Sequence, residues 1–507
     1  MKKSLWTLVG VLLAVWSLSA PAQANETRFG PSPCPFPLPS GIVEGEDVNC
    51  GYVLVPEDRT RQNSRTIRLA VAIFKANGPN ALPDPLFYLD GGPGAATLMS
   101  LPLYLYEALV QPFVRQRDVI IFDQRGVGFS EPALNCDEFD QATYELLNDP
   151  ILPIAEYDEM VRTIVKRCVK QFTGSDITLT AYNTTENAAD VDAIRKALGY
   201  DQINLYGVSY GTFLAQYVMR HHPAHLRSVI LDSVLPASVR AIEAYPANFE
   251  RVFELLFSTC KADARCNTTY PNLETIFYET ADRLNRKPIL VENVSNPLTG
   301  ATFDVWVDGN AFIGLIYQQF YLTHAIPQLP QRIFAANNGQ KRVLYDALVS
   351  YVTAPALSYE AMGLSVECAD IVPHNDQARF DLAVASLEAA RLRTYFETIR
   401  LDAIPRFIEL CALWHPTDED QTANLPVSSD IPTLIFAGQF DPVTPPEWGQ
   451  QVAQSLPNGF YVEVPAHGHG VTNFSICPVN IAEAFLSDPH VRPNAGCAER
   501  QVLRFRY

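Results

Sequence analysis

Attack on an acyl group by an unactivated hydroxyl needs three partners: the serine, a base to take its proton, and an acid to hold that base in one tautomer. The chain offers a serine in a demanding setting at Ser209, within Gly207-Val208-Ser209-Tyr210-Gly211. An apolar run, Ile203 to Tyr206, leads into this pentapeptide, and an amphipathic segment, Phe213 to Met219, leaves it. The pattern reads as strand, sharp turn, helix, with small residues where a Cβ would clash. Such a turn lifts the hydroxyl out of the chain and aims the first N–H groups of the helix at whatever it attacks. The competing reading is a glycine-tight turn that happens to hold a serine.

In a parallel sheet the reactive groups stand where strands end, in the chain order serine, acid, histidine. Asp441, in Gly438-Gln439-Phe440-Asp441-Pro442, follows the apolar strand Thr433–Ala437, and His469, in His467-Gly468-His469-Gly470, follows the last strand, Phe460–Val464. One helix and one strand fit between them. Asp232 also follows a strand, Ser228–Leu231, but Asp441 precedes the last helix–strand unit and is preferred. His467 competes with His469, whose flanking glycines leave it room to swing towards a serine. The oxyanion formed on attack needs two donors, each worth about 3 kcal/mol in the transition state. The backbone N–H groups of Tyr210 and of Gly92, in Gly91-Gly92-Pro93-Gly94, are the candidates. His221, His222 and His225 are the densest histidine group, but no adjacent carboxylate is read, and near a helix end they suit the carbonyl dipole. No metal is expected there.

Around these residues strand and helix alternate up to Pro236, which requires a parallel sheet with right-handed crossovers. Gly51–Pro56 and Thr66–Phe74 read as an antiparallel hairpin at its edge. Helices are expected over Leu103–Arg115, over 137–175, and from a Thr185 cap to Gly199. Gly126 and Gly128 imitate a dinucleotide loop, but Glu131 stands where the third glycine belongs, so no cofactor is expected. Arg125 beside them reads as a structural ion-pair former. After Pro236 helical patterns prevail with few buried strands, and the strand rhythm returns at Thr433. The division is therefore 1–24 a signal peptide, 25–236 and 426–507 the two parts of the core, and 237–425 an inserted helical lid.

Lys2 and Lys3 before an apolar run, with Ala22-Gln23-Ala24 for the peptidase, mark the export signal. No later run is long and apolar enough to span a bilayer. A net charge of −18 repels nucleic acid and anionic lipid, which excludes both as partners. The product is expected in a periplasm or outside the cell. Ten cysteines in an exported chain point to disulfides. Short loops close most cheaply, giving Cys34–Cys50, Cys136–Cys168, Cys260–Cys266, Cys368–Cys411 and Cys477–Cys497, though other pairings stay open. No C-x-x-C pair supports a metal cluster.

The ordered set GGPG, DQRGVGFS, GVSYGT, GQFDPVTP and GHG resembles the secreted tripeptidyl aminopeptidases and their proline iminopeptidase relatives, within the α/β-hydrolase superfamily. The Cys477 to Cys497 spacing resembles the C-terminal segment of the tripeptidyl group. The resemblance runs from Cys50 to Cys497 and implies the α/β-hydrolase fold, Ser209 as nucleophile, Asp441 as acid, His469 as base, and Gly92 and Tyr210 at the oxyanion hole. Asp90 departs from the histidine that proline iminopeptidases usually carry, which argues against strict proline specificity. An exopeptidase must also hold a free α-ammonium group, and a lid carboxylate suffices. Glu367 and Asp370, flanking Cys368, are the candidates; the alternative for each is a solvated or helix-capping acid.

The expected activity is removal of one to three residues from peptides with a free N-terminus through an acyl-enzyme. A carboxylesterase on the same machinery is the second expectation. A catalytically dead binding module fits poorly, because every triad position is filled.

Overall fold

The computed structural model of the protein describes residues 28–136, 138–139, 154–353, 358–399, 403–414, 422 and 424–507. The expected export signal lies outside these residues. So does much of the segment 137–175, of which Ile154–Gly174 is helical.

The strands are β1 (Phe29–Pro31), β2 (Val48–Pro56), β3 (Thr66–Phe74), β4 (Leu82–Leu89), β5 (Arg117–Phe122), β6 (Ile203–Val208), β7 (Leu226–Asp232), β8 (Ile289–Ser295), β9 (Thr302–Val307), β10 (Thr433–Gly438) and β11 (Gly459–Val464). Nine of them form one sheet in the order β1-β2-β3-β5-β4-β6-β7-β10-β11. The hairpin β2–β3, short β1 and the β3–β5 pair are antiparallel, and every pair from β5 to β11 is parallel. Central strands β6 and β10 are buried at every residue, because helices cover both faces of a parallel sheet. The apolar run of β10 is continuous for the same reason, and that of β6 is interrupted by Asn204, whose amide donates to the Asp84 carbonyl at 2.9 Å.

Register aligns the strand ends. Leu89 pairs with Gly207, Val208 with Asp232, Asp232 with Phe436, and Gly438 with Val464. The loops leaving β4, β6, β7, β10 and β11 therefore emerge side by side along one edge of the sheet.

Between β7 and β10 the chain is mainly helical, with an aromatic core of its own in which Phe249 stacks on Tyr317 at 4.1 Å. It also carries the antiparallel hairpin β8–β9, which the helical reading missed. Its strands are half exposed and bury mainly Val291, Val294, Val305 and Val307, too short a run to stand out against long amphipathic helices.

Two other expectations shift. The helix expected over Leu103–Arg115 begins earlier and is broken into Thr97–Ser100, a π-helical Leu101–Val110 and a 3-10 turn Phe113–Arg115. The cap before Gly199 is Asn183, not Thr185: its side chain accepts from the Glu186 N–H at 2.9 Å. Arg125 is fully buried and bonds Asp190 through Nε and Nη2, both at 2.8 Å, as a structural ion pair does.

The ten cysteines form five disulfides, Cys34–Cys50, Cys136–Cys168, Cys260–Cys266, Cys368–Cys411 and Cys477–Cys497. Among the described residues no helix is long and apolar enough to cross a membrane.

Candidate active site

Ser209 stands between β6 and the helix Tyr210–His221 with φ 57° and ψ −125°. A non-glycine residue held there costs about 1–3 kcal/mol, so its surroundings must impose it. They do so through contact. A Cβ on Gly207 would lie 2.4 Å from the Gly211 carbonyl oxygen, and one on Gly211 would lie 1.9 Å from that of Leu89. The Ser209 N–H donates to the Asp232 carbonyl at 3.1 Å, tying the turn to the end of β7. The two glycines flanking the serine are thus steric requirements of the turn.

The glycine loop after β4 lies against it. A Cβ on Gly91 would be 2.9 Å from Ser209 Cβ and 3.4 Å from its Oγ. Gly92 has φ 104°, with Gly94 N 2.7 Å from where a Cβ would sit, so the backbone passes here only as glycine. Tyr210 opens the helix, where its N–H has no carbonyl one turn earlier to bond. Its side chain points elsewhere: the ring is buried and its hydroxyl lies 2.9 Å from Thr184 Oγ1.

Asp441 and His469 meet. Asp441 is fully buried, and its carboxylate accepts from Val443 N, Thr444 N, Thr444 Oγ1 and His469 Nδ1, the last at 2.9 Å. Burial pushes this carboxyl up, but the imidazole and the Thr444 donors outweigh it and leave its pKa below the ordinary value. Burial pushes His469 down, yet the Asp441 charge and hydrogen bond, with Asp232 adding a weaker attraction, hold it above the ordinary value. With Nδ1–H given to the carboxylate, Nε2 is left basic. Among the described residues the Ser209 hydroxyl makes no hydrogen bond. Its turn and the histidine loop are nonetheless adjacent: a Cβ on Gly470 would lie 3.7 Å from Val208 Cγ1.

Residues between β7 and β10 clamp both loops. Arg251 donates to the Gln439 carbonyl at 3.0 Å and to that of Asp441, and the Tyr317 hydroxyl donates to the Pro442 carbonyl at 2.9 Å. Thr323 Oγ1 accepts from Gly468 N, and the Phe320 carbonyl leaves no room for a Cβ on Gly468. Tyr321 stands edge-on to His469 at 5.2 Å. None of these residues was legible in sequence, since each acts across a long chain separation.

The competing candidates take other parts. Asp232 accepts from Tyr206, Val471 and Thr472 and does not bond His469. His467 gives Nδ1 to the Pro465 carbonyl at 2.9 Å, and burial lowers its pKa. The histidine group after the serine helix does have carboxylates close by, contrary to the sequence reading. Asp192 lies 4.0 Å from His222 and Asp201 4.0 Å from His225, so the histidines face separate acids. Among the described residues the cluster of metal-type ligands Cys136, Glu138 and Cys168 is spent on a disulfide.

The two carboxylates flanking Cys368 divide. Asp370 is buried and accepts from Thr184 N at 2.8 Å and Thr184 Oγ1 at 2.6 Å, the helix-capping alternative for this acid. It connects to the site through Thr184 and the Tyr210 hydroxyl. Glu367 has no hydrogen-bond partner among the described residues, and burial with repulsion from Glu360 raises its pKa to about 7. Glu360, Gly363 and Glu367 share one helical face by spacing. Gly363 puts that face on the glycine loop, since a Cβ there would be 3.0 Å from the Pro93 carbonyl, and Tyr359 N donates to the Gly94 carbonyl at 2.8 Å.

Comparison with known proteins bears on the fold. Residues 84–303 match a family described as alpha/beta hydrolase fold, and residues 400–497 one described as TAP-like protein. Serine protease Hip1 of Mycobacterium tuberculosis (strain ATCC 25618 / H37Rv) is 29% identical over 459 residues, covering 86% of this chain and 85% of the relative. Tripeptidyl aminopeptidase of Streptomyces lividans is 26% identical over 439 residues, 84% of this chain and 78% of its own. Carboxylesterase B of Mycobacterium tuberculosis (strain CDC 1551 / Oshkosh) is 29% identical over 477 residues, 88% of each.

Proposed function

Since the chain belongs to the α/β-hydrolase superfamily and carries a TAP-like C-terminal segment, we propose that it is an exported serine peptidase releasing one to three residues from free peptide N-termini. The observation that carries the chemistry is the hydrogen bond between buried Asp441 and partly exposed His469 on the strand-end edge where Ser209 occupies its left-handed turn.

In this reading His469 Nε2 takes the Ser209 proton as Oγ attacks the scissile carbonyl. Asp441 keeps the proton of His469 on Nδ1 and stabilises the imidazolium. The N–H groups of Gly92 and Tyr210 receive the oxyanion. His469 then protonates the departing amine, and a water activated by the same imidazole frees the acyl group. The Ser209–His469 hydrogen bond closes as substrate enters, a common behaviour of unliganded sites. Glu367 holds the substrate's α-ammonium: it is a carboxylate with no hydrogen-bond partner among the described residues, on the helical face against the glycine loop, whereas Asp370 is committed to Thr184. The five disulfides support export to a periplasm or beyond.

A second reading, carboxylesterase, is favoured by the likeness to Carboxylesterase B. Initial rates on aminoacyl- and tripeptidyl-amides, with free and blocked amines, beside simple esters decide between them. Turnover restricted to free-amine amides supports the peptidase. Ester turnover indifferent to the amine supports the esterase.

A further inference from the structure

Asp232 is fully buried at the end of β7 and lies between the serine turn and the histidine loop. Its carbonyl accepts from Ser209 N at 3.1 Å. Its carboxylate accepts from Val471 N at 3.0 Å on one oxygen, and from Thr472 N, Thr472 Oγ1 and the Tyr206 hydroxyl at 2.8–3.2 Å on the other. The next residue completes the set: Ser233 Oγ accepts from Gly470 N at 2.8 Å. Three consecutive backbone N–H groups immediately after His469 are thus gathered by two adjacent side chains. Ser233 holds φ 60°, the left-handed region, to do so.

We infer that Asp232 and Ser233 are positioning residues that fix the His469 loop to the backbone of the nucleophile turn, so that the distance between base and serine is set through β7. A buried carboxylate with this many donors is a strong brace, because each N–H it satisfies would otherwise be left buried and unpaired. The brace acts on the chemical step, since among the described residues its hydrogen bonds run to the nucleophile turn, the Tyr206 hydroxyl and the histidine loop. It also has an electrostatic side. The groups facing His469 are Asp441 in contact, Asp232 beyond it and the Tyr321 ring, and both carboxylates favour the imidazolium. Removing the Asp232 charge therefore lowers the pH at which His469 becomes a free base.

The inference rests on Ser209 and His469 acting as proposed above, and reaction of Ser209 with a fluorophosphonate tests the two separately. Second-order labelling rates are measured from about pH 5 to 9, a range that spans histidine titration, for the wild type, Asp232→Asn and Ser233→Gly. Peptide-amide kcat and KM are measured alongside. Asp232→Asn is expected to slow labelling at the plateau by about ten-fold or more, to lower kcat with KM changed less than about two-fold, and to move the acidic limb to lower pH. Ser233→Gly suits the left-handed backbone better than serine does, so it is expected to fold normally and still lose about three-fold or more in labelling rate. Normal rates and an unmoved limb in both folded variants overturn the inference. If Asp232→Asn does not fold, Ser233→Gly alone decides. Failure of the wild type to label at Ser209 overturns the proposed function instead.

Discussion

The imidazole of His469 stands 2.9 Å from the carboxylate of Asp441, although the two lie on different loops, one after β10 and one after β11. The pair forms because those strands are parallel neighbours with Gly438 opposite Val464. A Cβ on Gly438 would meet the Gly468 carbonyl at 2.0 Å, so the loops approach as closely as backbone allows.

Asp441→Asn keeps the shape and removes the charge that selects the Nδ1–H tautomer. The expected loss is roughly ten-thousand-fold in kcat with KM little changed, read from steady-state rates on a peptide amide. A loss confined to KM contradicts the role.

The general base must be neutral, and the Asp441 charge holds the His469 pKa above its ordinary value. Protonated His469 cannot accept the Ser209 proton, so kcat/KM rises with pH and its acidic limb lies above the usual histidine value near 6.5. In Asp441→Asn the limb moves down. A wild-type limb well below 6 speaks against His469 as the base.

Glu367→Gln removes the proposed ammonium anchor without changing size. Free-amine substrates are expected to lose about ten- to a hundred-fold in kcat/KM, mostly through KM, while blocked substrates change little. Because its pKa is about 7, wild-type KM for free-amine substrates also rises as the pH falls below that value. Equal losses on free and blocked substrates refute the anchor.

Gly211→Ala forces a methyl group onto the Leu89 carbonyl. Overpacking of this kind costs about 1–3 kcal/mol, and relief must come from the turn that presents Ser209. Thermal melting is expected to show destabilisation, and the folded fraction to be nearly inactive. A variant with wild-type melting and rate contradicts the steric account of the turn.

The central strands, the serine turn and the acid–histidine order were legible because each leaves a local trace. Continuous apolar runs mark buried parallel strands, and glycines mark places where a Cβ has no room. What escaped depends on distant partners. The expected Thr185 cap gives way to Asn183, whose side chain accepts from Glu186 N, while the Thr184 N–H and hydroxyl both go to Asp370, 186 residues away. The carboxylates beside His222 and His225 come from other turns of the chain. Asp232 reads in sequence as a rival acid, since a strand-end aspartate looks the same whether it bonds an imidazole or the backbone beside it. Cysteine order was informative because every disulfide closes a short loop.

Mass-spectrometric mapping of the fluorophosphonate adduct, run beside peptide-amide hydrolysis, tests the central claim most directly. The account predicts one adduct on Ser209, abolished together with hydrolysis in a Ser209→Ala protein whose circular dichroism and melting match the wild type. An adduct on another residue, or a folded Ser209→Ala protein that hydrolyses at the wild-type rate, contradicts it.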